Sequence, residues 1–315
     1  MSEVRLFYHE ESKIKIAKSL DILPKINQKD IIWIDLNDVA LDVETRLEQF
    51  LKIYIQEEEE MEEIEMSSRY IQTEDSIVAN TNFLLDNFTS ESVSFILKKG
   101  ILVSVRDVDL RSFNETVKKI FANPSNFPTG YHVFVALLET RVEYDADTIE
   151  DTTDLITKLS KDLTANGDLD EEILIEIKDL QEKMMNIRQN IIDKQRIVSN
   201  LLKSNLFPND LVPRLTMIIK DINSLFEYTR FGVDRLDYLQ DTFLGLVNLQ
   251  QNKIIKIFTV VSVIFLPPTL IASMYGMNFR NMPELEWEYG YLFSIILMIL
   301  FSAAVLWFFK RKKWL

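Results

Sequence analysis

The chain of 315 residues contains no cysteine. That excludes a disulfide framework and every thiolate metal centre. Histidine is nearly absent too, with only His9 and His132, far apart in sequence. A soft-metal catalytic centre is therefore not expected. The 7 glycines never approach GxxxxGK[ST] or GxGxxG spacing, so neither a P-loop motor nor a dinucleotide enzyme is expected. A surplus of positive charge is also missing. Lys and Arg total 35 against 49 Asp and Glu, a formal net charge of −14. Nucleic acid needs a basic face; an acidic chain suits cations instead. The opening MSEVRLFYHEESK has neither the basic nor the apolar region of a secretory signal. The first 250 or so residues are therefore expected to stay where they are made. No nucleophile–base constellation is visible and the acidic clusters lack a phosphate cradle, so the chain does not read as an enzyme.

What is present lies mostly at the C-terminal end. The mean hydropathy is close to zero although 27% of residues are charged. That average hides an acidic, mixed segment and a final stretch holding the long apolar runs. Ile257 to Met277 carries no charge, and neither does Tyr291 to Phe309, YLFSIILMILFSAAVLWFF. At about 1.5 Å per residue, each run reaches across a hydrocarbon core of about 30 Å. Two such runs in tandem predict two membrane-spanning helices. Lys253 and Lys256 precede the first, and Lys310, Arg311, Lys312 and Lys313 follow the second. The loop between them sets Arg280 against Glu284, Glu286 and Glu288. The positive-inside rule then predicts both termini in the cytoplasm and the short loop outside. Trp287, Tyr289 and Tyr291 suit the outer interface, Trp307 and Trp314 the inner one.

The first span is not a plain anchor. It ends in SMYGMNF, Ser273 to Phe279, with a polar amide where an anchor needs none. Stepping back in threes and fours gives Ser273, Thr269, Leu266, Ser262, Thr259, Ile255, Asn252, Asn248, Gly245 and Asp241. Apart from Leu266 and Ile255, this stripe is polar or glycine, and that spacing keeps it on one side of a helix. A sustained 3.5 spacing points that side at a shared axis in a supercoiled bundle. The drift of an ideal helix leaves open whether Phe258 or Thr259 shares the axis. Two readings stand. Small and hydroxyl residues serve as packing glue between membrane helices. Alternatively, one stripe from each subunit lines a wet pore. The stripe continues into Asn252, Asn248 and Asp241, whose amides and carboxylate a dry seam would leave unsatisfied. Two spans cannot enclose a pore, so the second reading requires a homo-oligomer. Pro267 and Pro268 free the carbonyls of Val263 and Ile264, which water or protein must satisfy.

Ahead of the spans, Ile31–Leu36, Ile77–Leu85, Val93–Lys99 and Ile101–Asp107 read as strands from their β-branched and aromatic content. Lys99-Gly100 marks a tight turn. Val43–Leu51 and Glu57–Ser67 read as helices, giving an α/β domain with a partly antiparallel sheet. From Tyr131 onward helical patterning dominates. Asp145–Asn166 and Leu169–Leu206 form two long polar helices joined near Gly167. A helix starting near Leu211 is expected to run on into the first span, with Gly232 as its weakest point.

Tyr275-Gly276-Met277-Asn278 resembles the YGMN signature of the CorA family of magnesium and cobalt transport channels, the GMN-motif transporters, in their bacterial branch. The resemblance extends to Phe265–Leu270 (FLPPTL), to Met282–Leu285 (MPEL) and to the ending Lys310–Leu315 (KRKKWL). It implies an α+β cytoplasmic domain, long stalk helices and two C-terminal transmembrane helices, assembled as a homopentameric funnel-shaped channel in the inner membrane. The corresponding divisions are residues 1–130, 131–252, 253–278, an external loop 279–290, 291–309 and a basic tail 310–315. Carried over by position, Gly276, Met277 and Asn278 form the selective outer mouth. Asn252, Ile255, Phe258, Leu266, Thr269 and Ser273 line the pore, with Ile255, Phe258 and Leu266 as the apolar constriction and Asp241 as a carboxylate ring below. Glu62, Glu63 and Asp221 are implied as ligands of a regulatory Mg2+ between subunits. Mg2+ is thus both cargo and regulator, with Co2+ and Ni2+ as further cargo and no organic cofactor. The implied partners are further copies of the chain, divalent cations and the lipid bilayer, not nucleic acid. A ZntB-type zinc transporter shares the GMN motif and stays open, as does a non-conducting membrane cation sensor.

Overall fold

The computed structural model describes residues 3–11, 13–56, 69–165, 171–278 and 282–312. The chain separates into two compact units, Met1–Leu239 and Gln240–Leu315. In the first unit, seven strands form one sheet: β1 (Glu3–Glu10), β2 (Lys13–Ala17), β3 (Ile31–Asn37), β4 (Tyr70–Gln72), β5 (Ser76–Leu84), β6 (Ser90–Lys98) and β7 (Ile101–Arg106). Their order is β2-β1-β3-β7-β6-β5-β4. All neighbours are antiparallel except β3 and β7. The four expected strands are present, each within a few residues of its expected ends. The expected turn is present as well. Lys98 pairs with Ile101, and Lys99 and Gly100 between them have φ of 51° and 88°. Two successive positive φ values define the two-residue hairpin turn that matches strand twist.

Two strands before Ile31 escaped the pattern reading. On β1 the reason is visible, because Arg5 occupies an inward position and breaks the apolar alternation. It is buried against Asp35 of β3, with its Nε and Nη2 3.0 and 2.7 Å from Oδ2. Arg106 on β7 reaches the same carboxylate, Nη2 to Oδ2 at 2.9 Å, and Ser104 Oγ donates to Oδ1 at 2.7 Å. Around this buried charge, the same sheet face carries Phe7, Trp33, Phe83 and Phe95. Helix α2 (Arg111–Ala122) adds Phe113 and helix α3 (Gly130–Ala165) adds Phe134. Phe7 stacks on Trp33 at 4.6 Å and Phe95 meets Phe134 at 4.9 Å. The other face is aliphatic, packing Leu6, Ile34, Val78, Ile96 and Val103 under Leu47 and Leu51 of α1 (Leu41–Leu51).

Helix α3 begins at Gly130, well before the expected Asp145. Its first turns bury Val133, Phe134, Val135, Leu137 and Leu138. A segment buried on every side shows no amphipathic period, so the helical patterning from Tyr131 did not fix where the long helix starts. Gly130 itself is fixed by proximity. An added Cβ would stand 2.2 Å from Leu102 N and 2.5 Å from Ile32 O, both backbone atoms. Helix α4 (Glu171–Leu201) follows, ending short of the expected Leu206. Helix α5 (Val212–Tyr275) is unbroken over 64 residues, with Pro213 in its first turn, where a missing N–H is harmless. Gly232 is a contact rather than a weak point: a Cβ there would meet Met184 Cε at 2.6 Å. Helix α6 (Gly290–Arg311) completes the second unit. The expected helix over Glu57–Ser67 and the joint at Gly167 lie outside the described residues.

Candidate functional site

Helices α5 and α6 contain the two apolar runs, each long and apolar enough to cross a membrane. Within Ile257–Met277 only Ile271 is buried, and along α6 only Ser294. The core helix of a soluble protein would be covered instead.

The partly covered residues of the first run fall on one side: Val260, Val263, Ile264, Pro267, Pro268, Ile271 and Tyr275. That side faces α6, where Ser302 meets Ile264. From Ser262 to Ser273 the stripe lies on the opposite side. Asn252, Ile255, Thr259, Ser262, Leu266, Thr269 and Ser273 are all exposed in the single chain, as are Asp241, Gly245 and Asn248 further down. It is therefore not the seam between the chain's own two spans. Phe258 is exposed as well, at 69%. Asn252, Ile255 and Thr259 border a hollow of about 280 Å³ shared with Val260, Val263 and Phe309 of α6, so the lower end of the stripe flanks α6, whereas Phe258 does not line that hollow.

The hydroxyls on this helix are oriented. Thr259 Oγ1 donates to Ile255 O at 2.8 Å and Thr269 Oγ1 to Phe265 O at 2.7 Å. Each turns its proton inward and leaves only oxygen lone pairs outward. At the proline segment, protein is the partner of one freed carbonyl. Pro268 has no N–H for the carbonyl of Ile264, and Ser302 Oγ of α6 donates to that oxygen at 3.1 Å. Protein rather than water satisfies it, because the proline side of α5 faces α6. Sequence reasoning missed Ser302. The signal was a hydroxyl inside the second span, opposite a carbonyl that counting back four from a proline identifies.

The helix ends at Tyr275, with Gly276 N donating to Ala272 O at 2.9 Å and Met277 N to Met274 O at 3.3 Å. Asn278 follows beyond the last turn and is exposed. The amide thus sits at the mouth of the helix, not within it.

In the first unit, Asp221 on α5 lines a cleft of about 410 Å³ with Glu139 and Glu143 of α3. Glu139 is held by Arg214, at 2.8 Å to Nε, and Glu143 by Lys119 at 3.1 Å. Among the described residues, no group of three or more His, Asp or Glu is placed to hold a metal ion. Glu62 and Glu63 lie outside the described residues.

Comparison with known proteins agrees with this architecture. The family model described as "CorA-like Mg2+ transporter protein" matches residues 28–311. A Wolinella succinogenes protein named Magnesium transport protein CorA is 40% identical over 294 residues, aligning 91% of this chain and 92% of its own. The Salmonella typhimurium protein of the same name is 34% identical over 321 residues, end to end on both chains. The solved CorA magnesium transporter of Methanocaldococcus jannaschii has the same fold, with TM-score 0.81 over 99% of this chain and 98% of that one, at 18% identity. The ZntB cytoplasmic domain of Vibrio parahaemolyticus is more distant, with TM-score 0.60 over 78% of this chain and 98% of its own, at 14% identity. Two tandem spans, the YGMN ending and near full-length likeness to these relatives place this chain in the CorA family of magnesium transport proteins.

Proposed function

We propose that the chain is the subunit of a homopentameric Mg2+ channel in the inner membrane, with both termini cytoplasmic. Co2+ and Ni2+ are further cargo. Residues 1–130 form its α/β domain, 131–252 the long-helix and stalk region, 253–278 the pore helix, 279–290 the outer loop, 291–309 the outer helix and 310–315 the basic tail.

The observation that carries this reading is the exposed stripe on α5, which from Ser262 to Ser273 lies on the side away from α6. Five copies facing a common axis enclose Asn252, Thr269 and Ser273 with water. Ile255, Phe258 and Leu266 form the apolar constriction and Asp241 a carboxylate ring below. Gly276, Met277 and Asn278 ring the mouth. Mg2+ gives up its water reluctantly. Its hydration shell presents only O–H donors outward, so the ion is best met by acceptors. The carboxamide oxygen of Asn278 is one, and the outward lone pairs of Thr269, whose proton is committed to Phe265 O, are another. Neutral acceptors hold the hydrated ion without stripping it, and so let it leave. An inside-negative potential of 100 mV supplies roughly 4.6 kcal/mol for a divalent ion, at about 2.3 per charge, so no nucleotide site is needed.

Gating follows from charge. At high internal Mg2+, ions bridge Glu62, Glu63 and Asp221 of neighbouring subunits and offset their repulsion, and the constriction stays dry. When Mg2+ falls, repulsion loosens the ring, a ligand-biased two-state equilibrium.

The test is ion flux in proteoliposomes, comparing wild type with Asn278→Ala. Mg2+ flux should fall at least tenfold in the variant; equal flux would remove the amide ring from the mechanism. Proton-coupled Zn2+ flux without Mg2+ flux would establish a zinc transporter instead, and no flux of any ion a non-conducting sensor. Glu63→Ala should raise Mg2+ flux at millimolar internal Mg2+; unchanged inhibition would move the sensing site elsewhere.

A further inference from the structure

We infer that Ser302, on the second span, is a positioning residue for the ion path: its hydroxyl holds the proline-interrupted part of α5 to α6, so that the two helices move as one body at that level. The inference builds on the pore reading above.

The argument starts from a missing atom. Pro268 has no N–H, so the carbonyl of Ile264 loses its partner four residues on. In hydrocarbon no water is at hand to replace it, and an unpaired carbonyl there is costly. The hydroxyl of Ser302 stands 3.1 Å from that oxygen. Three other hydroxyls of these spans behave differently. Thr259, Thr269 and Ser294 donate to carbonyls of their own helix, at Ile255, Phe265 and Tyr291. That is the usual habit of Ser and Thr inside helices. Ser302 departs from it where the facing helix offers a carbonyl without its own donor.

The placement gives the bond leverage. Ile264 shares its turn with Leu266 of the constriction and lies five residues before Thr269, but on the opposite side of the helix. Any displacement of α5 that carries Leu266 off the axis must move Ile264 as well. It then either breaks the bond to Ser302 or takes α6 along. With the bond intact α6 follows, and the second span becomes part of the moving element rather than a passive outer layer.

The test uses an isosteric pair in the full chain. Ser302→Thr keeps the donor, and Ser302→Val has nearly the same shape without it. In proteoliposomes, Ser302→Thr should stay within twofold of wild-type Mg2+ flux. Ser302→Val and Ser302→Ala should each change it by about threefold or more, the equivalent of the ~0.6 kcal/mol typical of a hydrogen bond between membrane helices. A second readout does not depend on conduction. The chain has no cysteine, so Phe265→Cys and Phe301→Cys provide a clean pair for spin labels, with labelled chain diluted in unlabelled chain. The distance distribution should stay narrow with Ser or Thr at position 302 and broaden with Val or Ala. Equal widths for Thr and Val would overturn the coupling. Unequal widths together with a wild type that passes no ion would keep the coupling and sink the pore reading. Unequal widths with equal flux would overturn the role of Ser302 in the ion path.

Discussion

Lys194 offers a test of the first unit that needs no ion flux. It sits on α4, fully buried, with its Nζ 3.0 Å from Asp145 Oδ2 of α3 and hydrogen-bonded to Asn190 Oδ1. The ring of Phe83 on β5 lies 5.7 Å away. Arg141 shares Asp145, at 2.7 Å, and Asp193 pairs with Arg69 at 2.7 Å. Burial pulls the ammonium of Lys194 down from an ordinary 10.5 to about 8, against the upward pull of Asp145. The sign follows from linkage. Below about 8 the group is charged in both states, and burying that charge opposes folding in full. Between about 8 and 10.5 the unfolded chain holds a proton that the folded one has released, so stability rises with pH. The gap corresponds to roughly 3 kcal/mol. The control is Lys194→Met, which removes the ammonium yet leaves Asp145 paired with Arg141 and so orphans no carboxylate. Thermal unfolding of the purified protein should be followed from pH 7 to pH 10.5 for both. Wild type should gain on the variant by roughly 6–12 °C over that range, at about 2–4 °C per kcal/mol. Parallel curves would refute the claim that a charged lysine is buried there at neutral pH.

Three further outcomes follow from the same unit. Gly130→Ala should destabilise it by about 3 kcal/mol or more, since the Cβ would strike the backbone at Leu102 and Ile32, which cannot rotate away. A thermal shift of less than 2 °C would count against this. Gly232→Ala should instead be close to neutral, because it meets only the flexible end of Met184 and gains up to about 1 kcal/mol of helix propensity. Asp35→Asn leaves the buried Arg5 without a counter-charge and Arg106 with only the exposed Asp109 at 3.7 Å, with an expected loss of about 3–5 kcal/mol. Unfolding within 1 °C of wild type would show that the pair is neutralised by another route.

The legible parts of the chain were those where one force acts alone. Uninterrupted apolar runs identified the spans, β-branched runs identified β3, β5, β6 and β7, and threefold and fourfold steps isolated the stripe. Three kinds of element were hidden. Strand β1 was masked by Arg5, whose inward place makes sense only once Asp35 is beside it. The starting point of α3 was masked by burial on all sides. The Ser302 bond was masked because neither partner is unusual by itself; the relation between a proline and a serine 34 residues later is purely spatial. The facing of Ser262 to Ser273 away from α6 could not be read from one helix, since a helix does not reveal which of its sides its neighbour takes.

The inward-turned protons of Thr259 and Thr269 also bear on biogenesis. In the homopentamer proposed above, a newly synthesised subunit would wait in lipid until its siblings arrive, with its hydrophilic edge against acyl tails. A hydroxyl already bonded to its own backbone exposes no unmet donor. The same geometry that the proposed pore would turn toward a hydrated cation therefore lowers the cost of the solitary stage before assembly.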